Sequence, residues 1–215
     1  MRRVDHDALG VVVLTSSGLV PGRTHLDVAR AAIAGGASIV QVRAPELTDA
    51  ELEGLARDVV DACAGSSTLA IVNDRGDVAV DSDAAGVHVG QGDHPGTVRA
   101  RIGDRLLGVS VSTPEQAREA AAFGADYLGV TVWATATKPE AVSMGLDGLA
   151  AVAGASSLPV VGIGGVSAAN ATEVLAAGAS GVAVVSAVGA AADMEAATRE
   201  LVEIVGGWKA KKENR

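Results

Sequence analysis

A chain of 215 residues with a net charge of −9 is long enough for one α/β domain, and it carries no basic stripe that could displace counterions from phosphates, so nucleic acid and anionic membrane surfaces are disfavoured as partners. Hydrophobic residues make up 48% of the chain and aromatic residues only 2%, which calls for a large core of Val, Ala, Leu and Ile. The one cysteine, Cys63, excludes an internal disulfide framework and fits a reducing, cytoplasmic setting.

Taken in chain order, Arg2 and Arg3 are followed at once by Asp5, His6 and Asp7, and the apolar run at 10–14 is too short for a signal-peptide core. No stretch reaches the length of a membrane span. The first predicted strand, 11–15, ends on Thr15-Ser16, and His25 reads as a helix-start residue. A second strand, 39–43, carries Gln41 and Arg43 at its end. The helix after it is introduced by Thr48 and Glu51 in capping-box spacing and places Leu52, Leu55, Ala56, Val59 and Cys63 on one face. Cys63 there reads as a packed small hydrophobe.

The third strand, 69–73, stops abruptly on Asn73-Asp74-Arg75. A fourth, 86–90, holds His88, which reads as a packed histidine, and leads to Asp93 and to His94 at a helix start. The fifth, 107–111, has Ser110 near its end; Thr113 then caps a helix with Pro114 at its first position, where the missing N–H costs nothing. The sixth, 127–132, precedes Trp133, Thr135, Ala136, Thr137 and Lys138. The seventh, 160–163, ends on Gly164-Gly165 with a helix beginning near Ala168, and the eighth, 181–185, ends on Val185-Ser186. A last helix over 191–205 precedes a short basic tail at 209–215.

Four segments repeat one theme: "AGGASIVQVR", "DAAGVHVGQ", "FGADYLGVTV" and "AAGASGVAVVS". Each turns from small residues straight into a β-branched run, as the end of a helix leading into a strand does. The strand runs are near-continuous rather than alternating, as in parallel sheets covered by helices. Eight such units predict a single (β/α)₈ TIM barrel over 1–208; a doubly wound sheet is the alternative, disfavoured because no G-x-G-x-x-G follows the first strand.

In a barrel, chemistry sits at the C-terminal ends of the strands. A polar group at nearly every such end describes a ring around a site. Asp74 and Asp93, from adjacent strands, can converge on one hard cation with room for water and phosphate oxygens, which suits Mg²⁺. Arg43 and Lys138 add positive charge, pointing to an anionic substrate. Gly164-Gly165 and Ser186 lie where barrels commonly bind phosphate. Singly, each residue has a plain alternative: a solvated turn carboxylate for either Asp, a tight turn for the glycine pair, a surface lysine for Lys138. Their joint placement carries the reading.

"VQVR", "IVNDRGDVAV", "GVHVGQGD", "GVSVST", "ADYLGVTVWATATKP", "VVGIGGV" and "GVAVVSAV" together resemble the thiamin phosphate synthase family, in order from about residue 9 to about 188. The resemblance implies a (β/α)₈ transferase that joins an aminopyrimidine methyl diphosphate to a thiazole phosphate with release of pyrophosphate. It implies Mg²⁺ on Asp74 and Asp93, and contacts from Gln41, Arg43, Asn73, Ser110 and Lys138 to the pyrimidine diphosphate. Thr135, Ala136, Thr137, Gly165, Val185 and Ser186 would hold the thiazole phosphate. No covalent protein nucleophile is implied, and the partners are small phosphorylated molecules, with no nucleic acid or membrane.

The chain departs from the family in reading Gln41-Val42-Arg43-Ala44-Pro45 in place of Gln-Leu-Arg-Glu-Lys, so one diphosphate-facing lysine is missing. The run before Thr135, "VTVWA", is one residue shorter than the family's, and Thr15-Ser16 stands for a usual Thr-Asp. A thiazole tautomerase on the same fold and a non-catalytic binder of thiazole or thiamin phosphate are the competing functions. The retained Asn73, Asp74, Asp93 and Lys138 argue against the first.

Overall fold

A computed structural model of the chain describes residues 9–90, 92–135 and 142–213. Eight parallel strands close into a barrel in sequence order, β1 pairing with both β2 and β8. The strands are β1 Val11–Leu14, β2 Ile39–Val42, β3 Leu69–Asn73, β4 Gly86–Val89, β5 Leu106–Ser110, β6 Tyr127–Thr131, β7 Val160–Ile163 and β8 Gly181–Val184. The helices between and after them are α1 His25–Ala34, α2 Asp49–Cys63, α3 Gly76–Asp81, α4 Pro95–Ile102, α5 Pro114–Ala122, α6 Gly145–Ala155, α7 Ala171–Ala176, α8 Ser186–Gly189 and α9 Met194–Glu213. The fold is the (β/α)₈ barrel that the sequence predicts.

Local chemistry explains where the helices begin. Thr24 and Thr48 both form full capping boxes, with Asp27 and Glu51 returning the hydrogen bond to the cap residue's N–H. Thr113 caps α5 by accepting from the Gln116 N–H, with Pro114 at the first position.

Packing divides the apolar residues into two layers. The larger lies between strands and helices and includes Val28, Val40, Leu52, Val72, Leu107, Leu128, Leu149 and Val182. The smaller fills the barrel's interior with Leu9, Val12, Leu14, Ile39, Ile71, Leu106, Tyr127, Val161 and Ala183. Side chains alternate across a strand. Residues two steps beyond the inner-layer members therefore also point inward: Gln41 after Ile39, Asn73 after Ile71, Ile163 after Val161 and Val185 after Ala183.

Some boundaries differ from expectation. The eighth strand ends at Val184, so Val185 caps α8 and Ser186 begins it. The helix expected near Ala168 starts at Ala171, because the Asn170 side chain closes a turn by accepting from the Ser167 N–H and donating to the Gly165 carbonyl. The last helix does not stop near 205 with a basic tail from 209; α9 continues to Glu213. Its apolar stripe runs on through Leu201, Val205 and Trp208, and the Lys209 ammonium donates to the Leu9 carbonyl at 2.7 Å, tying this helix to the start of β1.

Candidate active site

Among the described cavities, one of about 310 Å³ opens at the C-terminal mouth of the barrel. Its floor is apolar, with Val12, Leu14, Val161 and Ile163, and its walls carry Gln41, Arg43, Asn73, His88, Ser110, Thr131, Thr135, Gly165, Ser167, Val185 and Ser186. Of the candidates from sequence, Gln41, Arg43, Asn73, Ser110, Thr135, Gly165, Val185 and Ser186 thus line one space. Ala136, Thr137 and Lys138 lie outside the described residues.

The β1 and β2 ends fix Arg43. Its backbone N–H donates to the buried Thr15 hydroxyl at 3.1 Å, and that same oxygen lies 3.1 Å from His25 Nδ1. His25 Nε2 in turn sits 2.9 Å from Glu46 Oε1, which also accepts from the Ser17 hydroxyl. Burial would raise the Glu46 carboxyl, but hydrogen bonds from His25, its own backbone and Ser17 outweigh that and hold it below its usual range. The β2–α2 loop is therefore clasped on both sides of Arg43. Among the described residues no carboxylate pairs with the Arg43 guanidinium, whereas Arg75, beyond β3, is taken up by Asp49 and the Leu47 carbonyl.

Asp74 stands at the rim with φ of 62°, in the left-handed region that aspartate tolerates better than most residues. Three hydrogen bonds hold it there: its N–H donates to the His88 carbonyl at 2.8 Å, Oδ1 accepts from the Gly90 N–H at 3.2 Å, and Oδ2 accepts from the Asn73 amide at 2.6 Å. Asp93, also exposed, follows β4. Partial desolvation, and then the neighbouring Asp74 charge, push the Asp93 carboxyl above the usual aspartate value. Two mutually repelling carboxylates at a mouth are a donor set that fits a hard divalent cation. Among the described residues no group of three or more His, Cys, Asp or Glu gathers.

From the sequence His88 reads as a packed histidine. The structure turns it into the cavity wall, with Nδ1 3.0 Å from the Tyr127 hydroxyl and Nε2 3.0 Å from Ser110 Oγ. Tyr127 was missed as part of the site; it is 1% exposed, and burial pushes its phenol well above the usual range. The signal for both is the spacing of inward positions: Asn73, His88, Gly108 and Tyr127 are register neighbours across β3 to β6.

On the opposite side, Gly164 and Gly165 take φ of 91° and 67°. A Cβ at Gly164 would stand 2.5 Å from the Trp133 carbonyl oxygen, so both conformation and space require glycine there. Trp133 thereby packs against the turn after β7 while remaining half-buried.

With this geometry in place, the comparisons are specific. The family model described as thiamine monophosphate synthase matches residues 11–188. The chain belongs to this family. A thiamine-phosphate synthase of Chloroflexus aurantiacus is 48% identical over 90% of this chain and 91% of its own length, and that of Moorella thermoacetica is 45% identical over 92% and 95%. The solved thiamine phosphate pyrophosphorylase from Pyrococcus furiosus superposes with a TM-score of 0.86 at 35% identity, covering 94% of this chain and 98% of that one. The stretches by which the chain resembles the thiamine monophosphate synthase family are those that supply the cavity's polar wall.

Proposed function

We propose that this chain makes thiamine phosphate by joining an aminopyrimidine methyl diphosphate to a thiazole phosphate, releasing pyrophosphate, with Asp74 and Asp93 as the ligands of a Mg²⁺ ion. The observation that carries the reading is the cavity itself: an apolar floor sized for flat rings, with the Arg43 guanidinium, paired to no carboxylate among the described residues, on one side and the Gly165 and Ser186 positions on the other. That layout suits two ring systems, each bearing an anionic group.

In this reading the bond between the pyrimidine's methylene carbon and the diphosphate oxygen breaks, and both electrons leave with the diphosphate. The electron-rich aminopyrimidine stabilises the methylene cation, and the thiazole nitrogen lone pair closes the new carbon–nitrogen bond. Bound Mg²⁺ would supply charge neutralisation for the diphosphate. Arg43 faces the charge that develops on departure, and Lys138 is proposed to join it. Gln41 is buried with its amide toward the cavity, and with Asn73 and Ser110 it orients the pyrimidine diphosphate. Thr135, Ala136, Thr137, Gly165, Val185 and Ser186 would hold the thiazole phosphate so that its nitrogen faces the reacting carbon. No side chain needs to act as a nucleophile. The buried, unpaired Cys63 suits the cytoplasm, where both phosphorylated partners would be small soluble molecules.

Incubation of the protein with both substrates, with and without Mg²⁺, tests this by following pyrophosphate and thiamine phosphate together. Equal amounts of both products, dependent on the metal, are expected. Asp74→Ala and Asp93→Ala should each reduce turnover by at least about a hundredfold, within the range for lost transition-state charge stabilisation, and leave the far-ultraviolet circular dichroism unchanged. Product formed without pyrophosphate, or a carboxylate variant with near-normal metal-dependent turnover, would overturn the assignment.

A further inference from the structure

The chain places an imidazole and a phenol inside the barrel where aliphatic residues would pack with less cost, and it clears space for them. Gly108 stands between His88 and Tyr127 in the register across β4, β5 and β6. A Cβ there would lie 2.3 Å from Tyr127 Cζ and 2.4 Å from His88 Nδ1. At Gly129, paired with Ser110, a Cβ would lie 2.9 Å from His88 Cε1. Two glycines on adjacent strands thus make the room in which the two rings meet, with centroids 5.4 Å apart.

Hydrogen-bond accounting then fixes the protons. Tyr127 is fully buried, and burial favours its neutral phenol. His88 Nδ1, at 3.0 Å, is the acceptor available to it among the described residues. If Nδ1 carried a proton and donated to the phenol oxygen, the Tyr127 O–H would be buried with no acceptor, a cost that native interiors avoid. The phenol therefore donates to Nδ1, which leaves the ring proton on Nε2. Nε2–H donates to Ser110 Oγ at 3.0 Å. Ser110 Oγ is then engaged as an acceptor, and among the described residues nothing accepts its own O–H, which is free to turn into the cavity.

We infer that Tyr127 and His88 are positioning residues that set the Ser110 hydroxyl as a hydrogen-bond donor to the pyrimidine diphosphate. The substrate named here rests on the function proposed above. The relay itself rests only on the three side chains and the two glycines. Without the phenol, the imidazole can adopt the other tautomer; Ser110 must then donate to Nε2, and its proton is withdrawn from the substrate.

A double-mutant cycle and a nitrogen spectrum test the relay. Tyr127→Phe should lower kcat/KM for the pyrimidine diphosphate about fivefold to tenfold, the range of one neutral hydrogen bond. In a Ser110→Ala background the same substitution should change it by less than about twofold, because the residue it acts through is gone. Equal losses in both backgrounds would mean a structural effect and overturn the relay. In ¹⁵N-histidine-labelled wild-type protein without substrate, assigned against His88→Gln, His88 should show a protonated Nε2 and an unprotonated, hydrogen-bonded Nδ1. A proton on Nδ1 would overturn it. This spectrum also decides the matter if Tyr127→Phe fails to fold. Should the wild-type protein form no thiamine phosphate, the proposed function fails, while the spectrum still judges the relay.

Discussion

Cys63 and Asp93 illustrate how position alone sets the chemistry of a side chain. Cys63 ends α2 against the barrel wall at 9% exposure, and burial pushes its thiol from 9.0 up to about 11. A raised folded value means that the native state favours the neutral thiol. Its contribution to stability is complete below pH 9.0 and is lost as pH rises through about 11. The native protein should therefore resist alkylation at pH 8, with the labelling rate following the unfolded fraction as denaturant is added. Between pH 9 and 11 the denaturation midpoint of the wild type should fall more steeply than that of Cys63→Ala. Fast labelling of the folded protein at pH 8 would contradict this. Asp93 shifts in the same direction, again chiefly through partial desolvation, and the negative Asp74 beside it adds to the effect. At this scale the sequence was read well for Cys63, Thr48 and Thr113, whose environments are local. It was read poorly for His88, whose ring meets Ser110 and Tyr127, 22 and 39 residues away.

At the scale of elements, the strands and helices follow from patterns that need no tertiary knowledge: capping residues before helices, β-branched runs between small-residue turns. The boundary errors have tertiary causes. The Asn170 turn delays α7, and α9 is extended by Trp208 and the Lys209 contact with Leu9. Gly35 is another such case. It ends α1 with φ of −77°, where any residue fits conformationally. A Cβ there, however, would lie 2.5 Å from Thr198 Cβ and 2.8 Å from the Glu195 carbonyl oxygen, so the glycine is required by the approach of α9 and not by its own backbone. Gly35→Ala should destabilise the fold by ~1–3 kcal/mol, as overpacking does. Because this end of α1 leads into the start of β2, at the barrel's far end from the cavity, KM values for both substrates should stay unchanged. Denaturant midpoints and steady-state kinetics on the same variant separate the two effects; a loss of substrate affinity would mean that the α1–α9 contact reaches the mouth.

For the whole molecule, barrel closure converts a linear order of motifs into two facing halves. Gln41, Arg43, Asn73 and Ser110 come from β2, β3 and β5, whereas Gly165 and Ser186 follow β7 and β8. The ring of polar strand ends was legible because every barrel strand delivers its C-terminal end to the same face. The inward row of His88, Gly108 and Tyr127 was not, because near-continuous apolar runs conceal which alternate residues face the axis. Dividing the mouth in two makes a test that depends on the whole fold. Ser186 is exposed at the start of α8, next to β1, while Asp74 and Asp93 stand across the barrel after β3 and β4. A carboxylate at 186 would face the phosphate proposed for that half and repel it, and it would lie far from the half proposed for the diphosphate, so that intervening solvent screens it. Ser186→Asp should raise KM for the thiazole phosphate by at least about tenfold, equivalent to ~1.4 kcal/mol, and leave KM for the pyrimidine diphosphate within about twofold. Ser186→Thr, which keeps the hydroxyl, should restore most of the affinity for the thiazole phosphate. If Ser186→Asp weakened both substrates equally, the two anions would have to share one side of the mouth, and the assignment of β7 and β8 to the thiazole phosphate would fall.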